Sequence, residues 1–218
     1  MKEKIALIIG LISILLLNNF DVHNARILQE SIASEVVRFH VVANSDSKAD
    51  QELKLVIKDK ITKELEPLLE NVNSVKEART ILSDNLTSME NLSNELISAN
   101  GFKYVAKASL EYDYFPLKVY GDIALPPGKY EAVIIELGNA KGENWWCLMF
   151  PPLCFVDSTY SVVPDSSKEQ LQDVLTEEEY DEILVDEANT SPSDDDENYE
   201  KKYKFKLFPA LNDFFNLN

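Results

Sequence analysis

The chain has 218 residues, 45% of them hydrophobic, which suffices for one globular domain of ordinary size with extensions and excludes a second large one. Its formal charge is −17, yet residues 165–200 hold 15 acids and one lysine, so the acidity belongs to one segment and not to the whole. No basic patch balances it, which argues against a nucleic-acid partner.

Met1-Lys-Glu-Lys4 precedes thirteen residues, Ile5 to Leu17, that carry no charge and a single hydroxyl, at Ser13. As a helix this run extends about 20 Å, short of the ~30 Å hydrocarbon layer, so residues 1–20 read first as an export signal. No A-x-A cleavage site follows, and an uncleaved anchor extending through Phe20 stands as the second reading. Export carries the rest of the chain to a place where its two cysteines can oxidise.

Residues 21–34 form a weak pattern, a linker or a frayed helix carrying Ile27 and Leu28. Glu35 to Ala43, EVVRFHVVA, is a strand by its β-branched content. Ser47 and Asp50 then open a helix whose apolar face is Leu53, Val56, Ile57, Ile61, Leu65 and Leu68, with Pro67 ending or kinking it at Glu66. Ser74 with Glu77 and Gly101 bound a second helix, seamed by Val75, Ala78, Leu82, Leu86, Met89, Leu92 and Leu96. That seam suits packing on the first helix and a sheet, with a coiled-coil oligomer as the lesser alternative.

Tyr104 to Tyr114 alternates as a strand, Phe115-Pro116 leads into Leu117 to Tyr120, and Pro126-Pro127-Gly128 turns the chain into a further strand, Tyr130 to Leu137. After a glycine-bounded loop, Gly138 to Asn144, the run Trp145 to Phe150 is apolar on both faces, so it belongs to a strand covered on both sides until Pro151-Pro152 stops it. The order β-α-α-β-β-β-β predicts an α+β domain over residues 35–157: a largely antiparallel sheet with two helices on one face, an N-terminal membrane-targeting helix and an acidic C-terminal extension. Within that extension, residues 158–218, Glu169 to Glu187 can form an acidic amphipathic helix, Asn189 to Glu200 reads as disordered, and Tyr203 to Phe215 restores aromatics. Residues 165–200 have too little apolar surface for a core of their own, so a chain ending near Asp157 is expected to fold alone.

Chemistry-bearing residues are few. Cys147 with His40 invites a thiol-hydrolase reading, but Trp146 and Leu148 flank the cysteine, and a buried or disulfide-bonded cysteine is favoured. A bond between Cys147 and Cys154 is predicted after export; fully extended, their α-carbons would stand about 23 Å apart, so Phe150 to Leu153 must reverse the chain. The cysteines lack zinc spacing, Asp194 to Glu197 lacks calcium-loop spacing, and Gly138 to Asn144 is not a phosphate loop, so no metal or cofactor is expected. Adjacent Trp145 and Trp146 must point to opposite faces, one available for a core and the other for a core, a partner or a sugar ring.

Two stretches, RFHVVANSDSKADQELKLVIKDKI and VYGDIALPPGKYEAVIIELGNAKGENWWCLMFPPLCFVD, together resemble the stage II sporulation protein R family of endospore-forming bacteria, over most of residues 35–157. The resemblance implies an exported signalling protein, made in the forespore and acting in the septal intermembrane space, either released or tethered through its N-terminal segment. Its implied partner is a membrane-embedded aspartic-type protease of the mother cell, whose activation leads to maturation of a sigma factor precursor. In that reading the protein is an activator and not an enzyme, with no catalytic residues. The resemblance concentrates around Asn44, Asp46, Gly121, Asn144, Trp145 and Trp146, which are the expected contact patch. The alternative is an extracytoplasmic cell-wall thiol hydrolase or glycan-binding module.

Overall fold

The computed structural model describes residues 23–154 and 163–185; the expectations for residues 1–20, 189–200 and 203–215 lie outside them. Its elements in order are α1 (residues 23–35), β1 (Val37–Val42), α2 (Lys48–Leu69), α3 (Val75–Asp84), α4 (Leu86–Ala99), β2 (Ala106–Phe115), β3 (Lys118–Tyr120), β4 (Ile123–Leu125), β5 (Gly128–Leu137), β6 (Asn144–Phe150), α5 (Asp165–Val174) and α6 (Glu177–Ile183). Four strands form one sheet in the order β2-β5-β1-β6, and β3 with β4 forms a separate hairpin. The β2–β5 and β1–β6 pairs are antiparallel, whereas β1 and β5 run parallel. The sheet is therefore mixed, mostly antiparallel, and its parallel pair is made possible by the long helical crossover from β1 to the later strands.

Alternation along the central strands sorts the core into two layers. Val37, Phe39 and Val41 of β1 join Val133, Ile135 and Leu137 of β5 and Cys147 and Met149 of β6 beneath α2, α3 and α4. On the opposite face lie Tyr130, Ala132 and Ile134 of β5 and Leu148 of β6. That face is covered as well: Ile32 and Ala33 of α1, Ile123 and Leu125 of the hairpin, and Leu171 and Ile183 of α5 and α6 close over it. The double covering expected of β6 is present, and it extends to β1 and β5.

Several boundaries differ from the sequence reading for physical reasons. Of the two readings for the segment before β1, the helix is the one found, over residues 23–35, because Ile32 and Ala33 bury against the second layer. Helix α2 runs through Pro67 to Leu69: Pro67 removes one amide near the helix end, while Leu69 beyond it is fully buried. Its buried stripe passes through Asp50, Leu53, Lys54, Ile57, Ile61, Thr62, Leu65 and Leu69, leaving Val56 and Leu68 exposed. The expected second helix is two, α3 and α4, broken at Asn85, whose side-chain amide donates to the Ile81 carbonyl at 2.8 Å and competes with helical continuation. Three helices, not two, thus cover the first face.

The acidic helix expected over residues 169–187 is also two helices. Thr176 and Glu179 form a reciprocal capping box that starts α6. Leu171, Leu175, Tyr180 and Ile183 bury in the second layer, so residues 163–185 belong to the core and do not trail from it. Asp122 anchors them: its carboxylate accepts from the Val163 amide at 2.8 Å and pairs with Lys168, and its carbonyl accepts from the Val185 amide at 2.9 Å.

Candidate functional site

The turn after β1 and the loop between β5 and β6 meet at one end of the sheet. Asn44 Oδ1 accepts from the Asn139 amide at 3.0 Å, and Asp46 Oδ1 accepts from the Glu143 amide at 2.7 Å. The approach is close enough that side chains are excluded: a Cβ on Gly138, which sits at φ +58°, would run into Asn44 Oδ1, and one on Gly142 would run into the Ser45 carbonyl. Those glycines, marked in the sequence only as loop boundaries, are what let the two turns touch.

Beneath this contact Asp50 is buried in α2, and among the described residues no cation pairs with its oxygens. Tyr104 donates to it at 2.7 Å, Asn44 at 2.9 Å, and Ser45 at short range. Burial alone would raise the Asp50 pKa; hydrogen bonds from Ser45, Tyr104, Asn44 and Ser47 outweigh it and hold the carboxyl below its usual value. Lys54, one turn on, donates to Gln51 Oε1 at 2.6 Å and to the Glu143 carbonyl at 3.0 Å. Burial pulls its pKa down, against the opposing pull of Glu143 and Asp46. The network is a clasp between two loops, with Asp46 and Asn144 on its exposed rim.

The expected contact patch is therefore only partly contiguous. Asn44, Asp46 and Asn144 gather at the clasp, Asn144 pairing with Val42 across β6 and β1. Trp145 faces the first layer, edge-on to Phe39 at 6.1 Å and under the Lys58 ammonium at 4.6 Å. Trp146 faces the second layer, stacked on His40 at 4.6 Å with 5° between the planes. Gly121 lies in the β3–β4 turn at φ +56°, where it precedes the anchoring Asp122.

Two polar residues bury on this second face, of which the sequence reading singled out His40 alone. Arg38 is fully buried, its guanidinium 4.2 Å from the Phe115 ring centroid and 4.9 Å from that of Tyr130. Nη2 donates to the Tyr120 hydroxyl at 3.0 Å, while Nε and Nη1 have no hydrogen-bond partner among the described residues. His40 sits beside it with Nε2 3.3 Å from Asp113 Oδ2, within ion-pair range but outside hydrogen-bond alignment. Burial lowers its pKa to about 4; Asp113 pulls the other way and Arg38 adds to the lowering, so the ring is neutral near pH 7. The signal was present in EVVRFHVVA, where the arginine and the histidine fall on the same face of an otherwise apolar strand.

Cys147 and Cys154 form a disulfide, with α-carbons 5.3 Å apart, and the chain reverses between them through a cis Phe150–Pro151 bond. Phe39 pairs with Cys147 and His40 with Trp146, which places His40 and Cys147 on opposite faces of the sheet. A thiol–imidazole pair cannot form across it, and the sulfur is already bonded. Among the described residues no group of three or more His, Cys, Asp or Glu side chains could hold a metal ion. None of the described helices is long and apolar enough to cross a membrane.

The profile of the family described as stage II sporulation protein R matches residues 33–160, from the end of α1 past both cysteines. A relative, stage II sporulation protein R of Bacillus subtilis strain 168, is 33% identical over 189 residues, which cover 84% of this chain and 83% of the relative. No solved structure matches the chain. Both the profile and the relative span the strands, the clasp and the disulfide together, and the chain belongs to the stage II sporulation protein R family.

Proposed function

We propose that this protein is an exported signal of endospore formation that activates a membrane-embedded aspartic-type protease of the mother cell, leading to maturation of a sigma factor precursor. Membership of the stage II sporulation protein R family carries this reading. The separation of His40 from Cys147 supports a ligand over a thiol hydrolase, since it removes the pair on which hydrolysis would rest. The disulfide suits a protein that works outside the reducing cytosol, here the septal intermembrane space. The N-terminal segment supplies the export signal or a membrane tether.

An activator of this kind acts by binding the active arrangement of the protease more tightly than the inactive one. Asp46 and Asn144, on the exposed rim of the clasp, and Trp145 beside them are the contact residues we assign to it. Reconstitution of the oxidised full-length protein with the protease and precursor in lipid vesicles tests the reading. Cleavage of the precursor should depend on both proteins, and folded Asp46→Ala or Trp145→Ala variants should lose it. Cleavage that proceeds equally without the protein would overturn the proposal.

A further inference from the structure

Strand β2 forms one edge of the sheet, and among the described residues nothing pairs with its outer side. In an antiparallel pair alternate residues turn their amides away from the partner. The even-numbered residues of β2 do so: the Ala106 amide donates to Asn94 Oδ1 at 2.8 Å, and the Ala108 amide to Glu90 Oε2 at 3.0 Å. Side chains of α4 thus close the first half of the edge. Among the described residues the second half has no such cover. The same alternation turns the Leu110 and Tyr112 amides outward, and the Tyr114 amide is met only by its neighbour's carboxylate, Asp113 Oδ1 at 2.8 Å.

An open edge is a template for a further strand, which proteins ordinarily blunt. Here it is flanked on one face by Tyr112 and Tyr114, 58% and 63% exposed, and on the other by Glu111 and Asp113. His40 faces Asp113 but is neutral near pH 7, and Glu111 accepts from the Ser109 hydroxyl at 2.6 Å. Lys107 shares this face but stands at the end already closed by α4. A second copy of the chain fits poorly, because antiparallel pairing about Tyr112 sets Glu111 opposite Asp113, and like charges directly across a ladder repel.

We propose that the edge from Leu110 to Tyr114 takes up an extended segment of a partner protein in which apolar and basic residues alternate, adding a strand to the sheet. Main-chain hydrogen bonds supply the affinity, the tyrosines receive the apolar side chains, and Glu111 with Asp113 receives the basic ones. Binding here stands or falls independently of protease activation, since any protein carrying such a segment qualifies.

The test uses the full-length oxidised protein and two labelled synthetic peptides of equal length, one alternating lysine with valine and one alternating glutamate with valine. The lysine peptide should bind at least about tenfold more tightly, as expected where like charges oppose, and should protect the Leu110 and Tyr112 amides from hydrogen exchange. Tyr112→Pro removes one outward donor at a position where an edge strand tolerates proline, and should abolish protection of the Leu110 amide and weaken binding about tenfold. Glu111→Lys with Asp113→Lys should reverse the preference between the peptides. If the lysine peptide binds both variants as it binds the parent, its site is the acidic segment of residues 165–200 and the proposal is overturned. Equal binding of the two peptides, or no binding of either, overturns it too.

Discussion

The Asp46 carboxylate accepts a 2.7 Å hydrogen bond from the Glu143 amide, joining turns 97 residues apart in the chain. Because this bond is exposed, its loss should be mild: Asp46→Ala is expected to cost about 1 kcal/mol in urea unfolding. Asp50→Ala is expected to cost about 3 kcal/mol, since it leaves the Asn44, Ser45 and Tyr104 donors without their buried acceptor. Equal costs for the two variants would show that the clasp is not organised around Asp50. The contrast also matters for function, because a nearly wild-type stability is what lets Asp46→Ala report on partner contact.

His40 ties stability to pH. Its pKa is about 4 when folded and about 6.5 when unfolded, so between those values the unfolded chain takes up a proton that the native protein refuses. The neutral-ring contribution is complete above pH 6.5 and is lost as pH falls toward 4, by about 3 kcal/mol in all. His40→Phe keeps a ring against Trp146 and Phe115 and should flatten this part of the profile. Urea midpoints collected from pH 7 to pH 4 measure it; an unchanged slope in the variant would assign the acid sensitivity to other groups. The carboxyl of Asp50, held below its usual value, adds its own loss only at lower pH.

Which layers cover the sheet was only half legible in the sequence. Trp145 to Phe150 announced a strand buried on both faces, since apolar residues at both parities leave no side for water. β1 carried no such announcement, because Arg38 and His40 are residue types whose burial is ordinarily costly. In the folded protein aromatic rings receive both. The stripe of α2 was read correctly at Leu53, Ile57, Ile61 and Leu65 and missed at its flanks for a related reason: Asp50, Lys54 and Thr62 are buried where an apolar count favours Val56 and Leu68. The contact patch was grouped by resemblance alone, and alternation sends Trp145 and Trp146 to different layers.

The disulfide closes a short loop, its cysteines seven residues apart. On the chain-entropy account, a loop of this size stabilises by about 2.5 kcal/mol. Cys147→Ser with Cys154→Ser should lower unfolding stability by about that amount while leaving the protein folded. Thiol titration of the denatured, unreduced parent should find no free thiol; two per chain would show that the bond does not form.

Removal of everything beyond residue 157 sets two forces against each other. The lost segment carries most of the negative charge, so relief of its self-repulsion would favour the shortened chain. The same cut removes Val163, Leu171, Leu175, Tyr180 and Ile183 from the second layer, all of them buried. Each such side chain is worth about 1.5–3 kcal/mol on burial, so five amount to roughly 10 kcal/mol, the size of a domain's whole stability. Charges on exposed helix faces are screened within about 10 Å at ordinary salt and recover far less. Burial wins, and a chain ending at residue 157 should lose its cooperative melt and bind a hydrophobic dye through the uncovered Tyr130, Ile134 and Leu148. A chain ending at residue 187 keeps α5, α6 and the Asp122 anchor, and should melt cooperatively near the full-length midpoint. A cooperative melt of the shorter chain at that same midpoint would mean that α5 and α6 rest on the domain without stabilising it.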